Sequence, residues 1–243
     1  MDEDSASEWP DRLAKLEHLI SKDLSIPAWR RHTLGERRWP SAVTILCLIA
    51  LQLALPERLS VGPRWLMPAI EIGLIVVLIA ANPVRLGRGT PPLRMVALLL
   101  IAVASVGTAW SVVVLVTDIA LVRHTGSAAR LLVTGGDVWL TNVLLFAVWY
   151  WELDRGGPIQ RALGTHQYPD FLFPQMSSPG MAAKDWEPEF LDYLYVAFTN
   201  ATAFSPTDTM PLSRWAKLLM LLQSLISLVT AALVVAKAVN ALA

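Results

Sequence analysis

The charged residues of this chain are concentrated in two stretches, and the rest of the sequence is nearly uncharged. Residues 1–38 hold 15 of the 40 charged residues, residues 152–192 hold 10, and the other 164 residues share 15. A helix that crosses a bilayer needs about 20 mostly apolar residues. The sequence therefore predicts an all-α, polytopic membrane protein whose two polar stretches lie outside the bilayer.

The composition argues against several other classes of protein. The single cysteine, Cys47, has no partner in the chain for a disulfide. Lys+Arg and Asp+Glu both number 20 without a long basic tract, so we expect no nucleic-acid partner. The four histidines lack the spacing of metal ligands, and neither a nucleophile elbow nor a phosphate-binding glycine loop is present. We therefore expect no enzyme activity, no metal and no cofactor.

Five apolar segments predict about five transmembrane helices in a cell membrane, the inner membrane of a bacterium. Short connections rich in glycine and proline separate them, and tryptophans near their ends are typical of an aromatic belt at the lipid surface. We divide the chain into an amphipathic, polar N-terminal arm (1–38), N-terminal transmembrane helices (39–130) and a C-terminal module (131–243). The apolar segments are residues 39–55, 65–81, 95–122, 138–151 with a start near 131, and 212–242.

The C-terminal module has an unusual order of elements. After an outer helix come an extramembrane loop (152–187), a half-length apolar helix (188–203), a polar hairpin (204–211) and an inner helix (212–242). A half-helix that ends inside a membrane leaves carbonyl groups that lipid cannot satisfy, so such elements line pathways or lie buried in protein. Its negative C-terminal end suits a cation. The order predicts a re-entrant, pore-type half-helix.

Residues 198–211 resemble, without a gap, the pore segment of the two-transmembrane potassium-channel superfamily, which reads Phe-Thr-Thr-x-Thr-Thr-Val-Gly-Tyr-Gly-Asp-x-x-Pro. The matching residues are Phe198, Thr199, Thr202, Asp208 and Pro211. Residues 192–195 resemble the opening of the pore helix. The chain from Trp139 onward also resembles an uncharacterised bacterial membrane-protein family with a Trp-rich helix, a Phe-Pro loop and an Asp-Tyr-Leu-Tyr segment. Together these resemblances cover about the last 105 residues.

The resemblance implies a homotetramer in which each chain contributes one pore loop to a pathway for monovalent cations. Two departures from the family pattern bear on selectivity, because Ser205 and Thr207 replace the glycines that aim backbone carbonyls at the ion, and Pro206 fixes its own φ. We therefore expect a cation-conducting channel without potassium selectivity. The resemblance assigns the filter to Thr199, Thr202, Ala203, Phe204, Ser205, Pro206, Thr207 and Asp208.

Three features keep a second interpretation open. The hairpin is equally a capped turn in a non-conducting scaffold or regulatory subunit. A stripe on the inner helix either lines a water-filled cavity or packs against a neighbouring helix. The intramembrane acid Glu71 is either functional or a hydrogen-bonded structural residue. The stripe consists of Gln223, Ser227, Thr230, Ala231 and Val234.

The positive-inside rule favours a cytoplasmic N-terminus, with seven arginines on the cytoplasmic side of the early spans and four on the other side. Four full spans would then return the chain to the cytoplasm before the hairpin, whereas the pore loop of the family enters from outside. Three topologies would resolve this conflict: the N-terminus is outside, one apolar block does not span, or the pore loop is inverted.

Overall fold

A computed structural model shows a predominantly helical protein. Three of its helices are long and apolar enough to cross a membrane, and two shorter apolar helices accompany them. The prediction of a helical, membrane-compatible chain is confirmed at this level. The structure describes residues 27–33, 35–37, 39–81, 91–121, 127–203 and 208–242; the N-terminal part of the arm, with its predicted amphipathic helix, lies outside the described residues.

The described helices are joined by short turns and one pair of two-residue antiparallel strands, in which Phe171 lies opposite Pro211. The three long apolar helices are α3, α4 and α8. The helices are α1 (Trp39–Ala54), α2 (Leu66–Ala81), α3 (Pro91–Ala120), α4 (Ala128–Leu153), α5 (Pro158–Ala162), α6 (Pro174–Ser177), α7 (Phe190–Ala203) and α8 (Arg214–Leu242), and the strands are β1 (Phe171–Leu172) and β2 (Met210–Pro211).

Helix α4 lies at the centre and packs against α1, α3, α7 and α8, with α7 held between α4 and α8. An aromatic cluster joins these helices to the extramembrane segment. The ring of Phe171 lies 5.1 Å from that of Tyr150, 6.3 Å from that of Tyr193 and 5.8 Å from that of Trp215. Burial of such rings and their edge-to-face contacts stabilise the packing of β1 on three helices.

Helices α4 and α8 approach each other closely near their other ends. An alanine at Gly135 would place its Cβ only 2.6 Å from Val234 Cγ2, a distance that side chains do not tolerate. The glycine is therefore required for this packing, and close contact through small residues is typical of helices in membranes.

The helix bundle has two distinct ends. The first, which we call the loop end, carries residues 27–37, the segment 154–187 and the starts of α7 and α8; there the Thr33 amide donates to Ala162 O at 2.9 Å and the Leu212 amide to Asp170 O at 2.7 Å. The second, the turn end, carries residues 57–64, where Arg58 pairs with Asp118 of α3 at 3.4 Å. Each long helix therefore begins at one end and finishes at the other.

Candidate functional site

Helix α7 is the element on which the sequence places the candidate site, and it has two different faces. One face is buried against α4 and α8 through Tyr193, Ala197 and Asn200, which are at most 1% exposed. The opposite face exposes large side chains, including Tyr195 and Phe198, which are about half exposed. The helix begins at Phe190, two residues after the predicted start, and ends at the predicted Ala203.

The end of α7 lies alongside the first half of α8. Asn200 Nδ2 donates to Met220 O at 3.0 Å, and Ser224 Oγ donates to Asn200 Oδ1 at 3.0 Å. Both partners lie six to ten residues into the 29-residue α8, which is about 9–15 Å along its axis. Since α7 ends only three residues later, at Ala203, it stops roughly a third to a half of the way along α8, and β2 lies back at the loop end.

Gln223 of α8 is the hydrogen-bond centre that joins three helices. Its Oε1 accepts from Tyr150 Oη of α4 at 2.6 Å and from Asn200 Nδ2 of α7 at 2.7 Å. Its Nε2 donates to Ala197 O of α7 at 2.8 Å, and its backbone carbonyl accepts from Asn142 of α4 at 3.3 Å. Because Gln223 is completely buried, these bonds take the place of water as its partners.

The predicted inner-helix stripe faces the interior of this one chain. Gln223, Ser227 and Thr230 are at most 2% exposed, and Ser227 Oγ accepts from Asn142 Nδ2 at 2.9 Å. Val234 packs on Gly135, and Ala231 is half-buried. This is the placement of a packing face, the second of the two interpretations that the sequence leaves open, because residues enclosed between helices of one chain do not line a cavity between chains.

Four of the predicted filter residues can be placed. Thr199 Oγ1 donates to Tyr195 O and Thr202 Oγ1 to Phe198 O, both at 2.9 Å, so both hydroxyls bond within α7. Thr202, Ala203 and Asp208 are exposed. The remaining predicted filter residues, Phe204, Ser205, Pro206 and Thr207, lie outside the described residues.

A buried polar cluster at the loop end holds the start of α7. The carboxylate of Asp154 is completely buried; its Oδ1 accepts from the Asp170 amide at 2.9 Å and its Oδ2 from Tyr193 Oη at 2.6 Å. Asp170 in turn accepts from Trp215 Nε1 at 2.9 Å and from the Arg155 amide at 2.8 Å. The cluster thereby connects the ends of α4, α7 and α8 through the extramembrane segment.

The N-terminal arm is part of the same cluster. Arg161 donates to Glu36 Oε1 from Nε at 3.0 Å and from Nη2 at 2.7 Å, while Glu36 Oε2 accepts from Trp151 Nε1. Burial would lower the pKa of the Arg161 guanidinium, but the charge of Glu36, assisted by that of Asp154, outweighs it and raises that pKa. Arg161 is therefore a permanent buried cation.

Arg155 adopts a conformation that few residues other than glycine adopt, with φ at 50°. Its guanidinium donates to Trp29 O and lies 5.7 Å from the centre of the Trp29 ring.

The cluster at the loop end is not among the sites predicted from the sequence. The available signal was the presence of Asp154, Arg155 and Arg161 at the point where a nearly uncharged apolar helix gives way to the second charged stretch.

Glu71 lies in α2 and is completely buried. Its Oε1 accepts from Gln52 Nε2 of α1 at 2.8 Å, while its Oε2 has no hydrogen-bond partner.

The prediction that no metal is bound stays a prediction, although no group of three or more His, Cys, Asp or Glu with the geometry of a metal site occurs in the described part of the chain.

No protein-family profile matches this chain, and no curated protein or solved structure is significantly similar to it. The resemblance of residues 192–211 to a potassium-channel pore segment therefore stays a prediction.

Proposed function

We propose that this protein is a multi-pass cell-membrane protein that forms a homotetramer and conducts monovalent cations without potassium selectivity. In this proposal α7 is a re-entrant half-helix, and the segment from Thr199 to Asp208 of each chain lines the pathway. The observation that carries the proposal is the end of α7 at Ala203, short of the midpoint of α8, with Thr202 and Ala203 exposed.

A helix end at this depth needs polar surroundings. The last carbonyl groups of α7 have no partners within the helix, and lipid supplies no donors for them. Water or a neighbouring chain is therefore required around Ala203. The C-terminal end of a helix carries a partial negative charge, and the exposed carboxylate of Asp208 adds to it, so the surroundings favour a cation over an anion.

The loop end supports a definite topology for this proposal. Because Thr33 bonds to Glu187 and Glu36 to Arg161, the arm and the 154–187 segment lie together at one end of the bundle. An even number of membrane crossings must separate them. This argues against a topology in which a single apolar block fails to span.

The distribution of basic residues then favours an inverted pore loop over an N-terminus that lies outside the cell. In the described ranges, nine Lys and Arg lie at the loop end and four at the turn end, so the positive-inside rule assigns the loop end to the cytoplasm. On this assignment α7 enters the membrane from the cytoplasm, opposite to the family that it resembles. The residues at the loop end are Arg30, Arg31, Arg37, Arg94, Arg155, Arg161, Lys184, Arg214 and Lys217, and those at the turn end are Arg58, Arg64, Arg130 and Lys237.

Cysteine labelling in intact cells tests this topology. In a Cys47→Ser background, Tyr168→Cys and Lys184→Cys at the loop end should resist an impermeant maleimide until the membrane is opened. Pro63→Cys at the turn end should react in intact cells. All three native residues are exposed, so access is set by the membrane and not by burial. The reverse pattern would overturn the cytoplasmic assignment.

Oligomeric state and conduction test the channel itself. Purified protein in lipid nanodiscs should be a tetramer, and in planar bilayers it should pass cations. Asp208→Asn should change the ratio of cation to anion permeability, because it removes a carboxylate from the proposed pathway. The matched change Asp185→Asn, at an exposed site in the extramembrane segment, should leave that ratio unchanged. A monomer or dimer in lipid, or the absence of current, would refute the proposal.

One observation favours the second candidate, a non-conducting scaffold or regulatory subunit. The polar positions of α8 at Gln223, Ser227 and Thr230 are buried within one chain, and Gln223 and Ser227 are hydrogen-bonded there. These residues hold α7 in place between α4 and α8. A scaffold needs such fixed packing as much as a channel does. A stable tetramer without conduction would support this candidate.

A further inference from the structure

The paired side chains of Gln52 and Glu71 are an unusual feature of the helices that precede the pore-like module. Glu71 is completely buried, and one of its two oxygens, Oε2, has no partner. Leaving a carboxylate oxygen buried and unbonded is strongly unfavourable if the group is ionised, and far less so if it carries a proton. Glu71 is therefore stable in this position only if Oε2 carries a proton or is hydrogen-bonded to water.

A small cavity at the turn end lies next to the pair. Gln52, which bonds to Glu71, also lines this cavity, together with Ser111, so that Gln52 links the cavity to Glu71, which is not itself a lining residue. The free volume for the centre of a water molecule is about 20 Å³, and one buried water needs roughly 10–15 Å³. The cavity thus has room for one water beside the Gln52 amide. Its lining includes the exposed residues Pro63 and Arg64.

Opposite charges that could neutralise Glu71 directly are absent from the described part of the surrounding elements. Helix α1 carries no charged residue, and its Cys47 is exposed. Arg58 pairs with Asp118, and Arg64 pairs with Glu57 at 3.8 Å. No ion pair joins Glu71 to any of these groups. The charged residues on the elements around α2 are Glu57, Arg58, Arg64, Arg94 and Asp118.

We propose that Glu71 is a proton-binding site that exchanges its proton with the turn end of the protein through the cavity lined by Gln52. The Glu71 carboxylic acid loses its proton and becomes a carboxylate, and a water in the cavity beside Gln52 accepts the proton and passes it to the solvent at the turn end. The Gln52 Nε2 hydrogen bond to Oε1 is kept in both forms. This site does not depend on conduction through the C-terminal module.

Infrared spectroscopy of the full chain in lipid, with exchange into heavy water, tests the site. The wild type should show a protonated carboxylic band that shifts on deuteration and disappears as the pH rises. Glu71→Gln should lack this band. If the difference between the two proteins contains no carboxylic band at any pH, Glu71 binds no proton and the proposal is refuted.

A pair of glycine variants tests the route. Gly107 lines the cavity, and a Cβ added there would lie 4.0 Å from the Gln52 amide, so Gly107→Val narrows the cavity and should slow deuteration of the band severalfold. The smaller Gly107→Ala should have an intermediate effect and serves if the valine variant does not fold. Gly73→Val, with no atom within 4 Å of the added Cβ, should exchange at the wild-type rate. Equal rates in all four proteins would refute the cavity as the route.

Discussion

The guanidinium of Arg161 donates two hydrogen bonds to a single oxygen of Glu36, at 3.0 Å and 2.7 Å, across 125 residues of sequence. Both side chains are almost fully buried. The pair connects the segment before α1 to the segment after α4, so the two halves of the chain share one polar cluster.

Loss of this pair should destabilise the protein strongly. Glu36→Ala leaves the Arg161 cation buried without its counter-charge, which is expected to cost about 3–5 kcal/mol. The matched change Glu57→Ala breaks an exposed pair with Arg64 at 3.8 Å and should cost about 0–1 kcal/mol. Unfolding of both variants in detergent micelles measures the difference. Similar losses in the two variants would contradict a structural role for the pair.

Two adjacent glycines of α4 should respond in opposite ways to alanine. At Gly135 the new Cβ would collide with Val234, a stiff, β-branched side chain, so Gly135→Ala should destabilise the α4–α8 contact by about 1–3 kcal/mol. At Gly136 nothing lies within 4 Å, and alanine should stabilise the helix by about 0.5–1 kcal/mol. Thermal unfolding distinguishes them, and Val234→Ala should relieve the loss at Gly135.

Variants at the hydrogen-bond centre around Gln223 should lose stability to different degrees. Gln223→Leu leaves Tyr150 Oη without its acceptor, and a stranded buried donor costs about 1–3 kcal/mol. It also removes one of the two acceptors of Asn200 Nδ2, which keeps its bond to Met220 O. Tyr150→Phe removes one donor while Asn200 still satisfies Gln223 Oε1, so it should cost only about 1 kcal/mol. Tyr195→Phe makes the same change on the exposed face of α7 and should be neutral in denaturant unfolding.

Stability should fall as the pH rises through the titration of Glu187, a half-buried carboxyl group in the 154–187 segment at the loop end. Burial raises the pKa of Glu187 above its usual 4.5, despite the Thr33 hydrogen bond. A group whose pKa is raised in the folded state stabilises that state fully below its unfolded pKa and loses the contribution as the pH rises through the folded value. Glu187→Gln should therefore flatten the profile of unfolding free energy above pH 4.5. A variant profile as steep as that of the wild type would contradict this.

The helices that the sequence predicts best are those with a strong local signal. Helix α7 could be predicted from a half-length apolar stretch that is bounded by Pro188 and by the polar residues after Ala203. In the structure it begins two residues later than predicted. Helix α3 starts at Pro91, four residues before the predicted apolar block, because proline suits the first turn of a helix.

The polar contacts could not be predicted, because they depend on how each helix is rotated and how deep it lies. The sequence identifies Gln223 and Ser227 as one stripe but leaves open whether it faces water or protein. Their partners Asn142 and Tyr150 lie more than 70 residues away. Glu36 and Arg161 carry no local pattern that would pair them.

Helix α8 contains no glycine or proline between Arg214 and Leu242, so nothing in its sequence provides a bend. It is fastened at three heights: Trp215 to Asp170, Gln223 to α4 and α7, and Val234 against Gly135. A straight helix held by contacts at three positions along its length can neither tilt nor rotate independently of the helices that it contacts. Any movement of α8 must instead carry α4 and α7 with it as one rigid block.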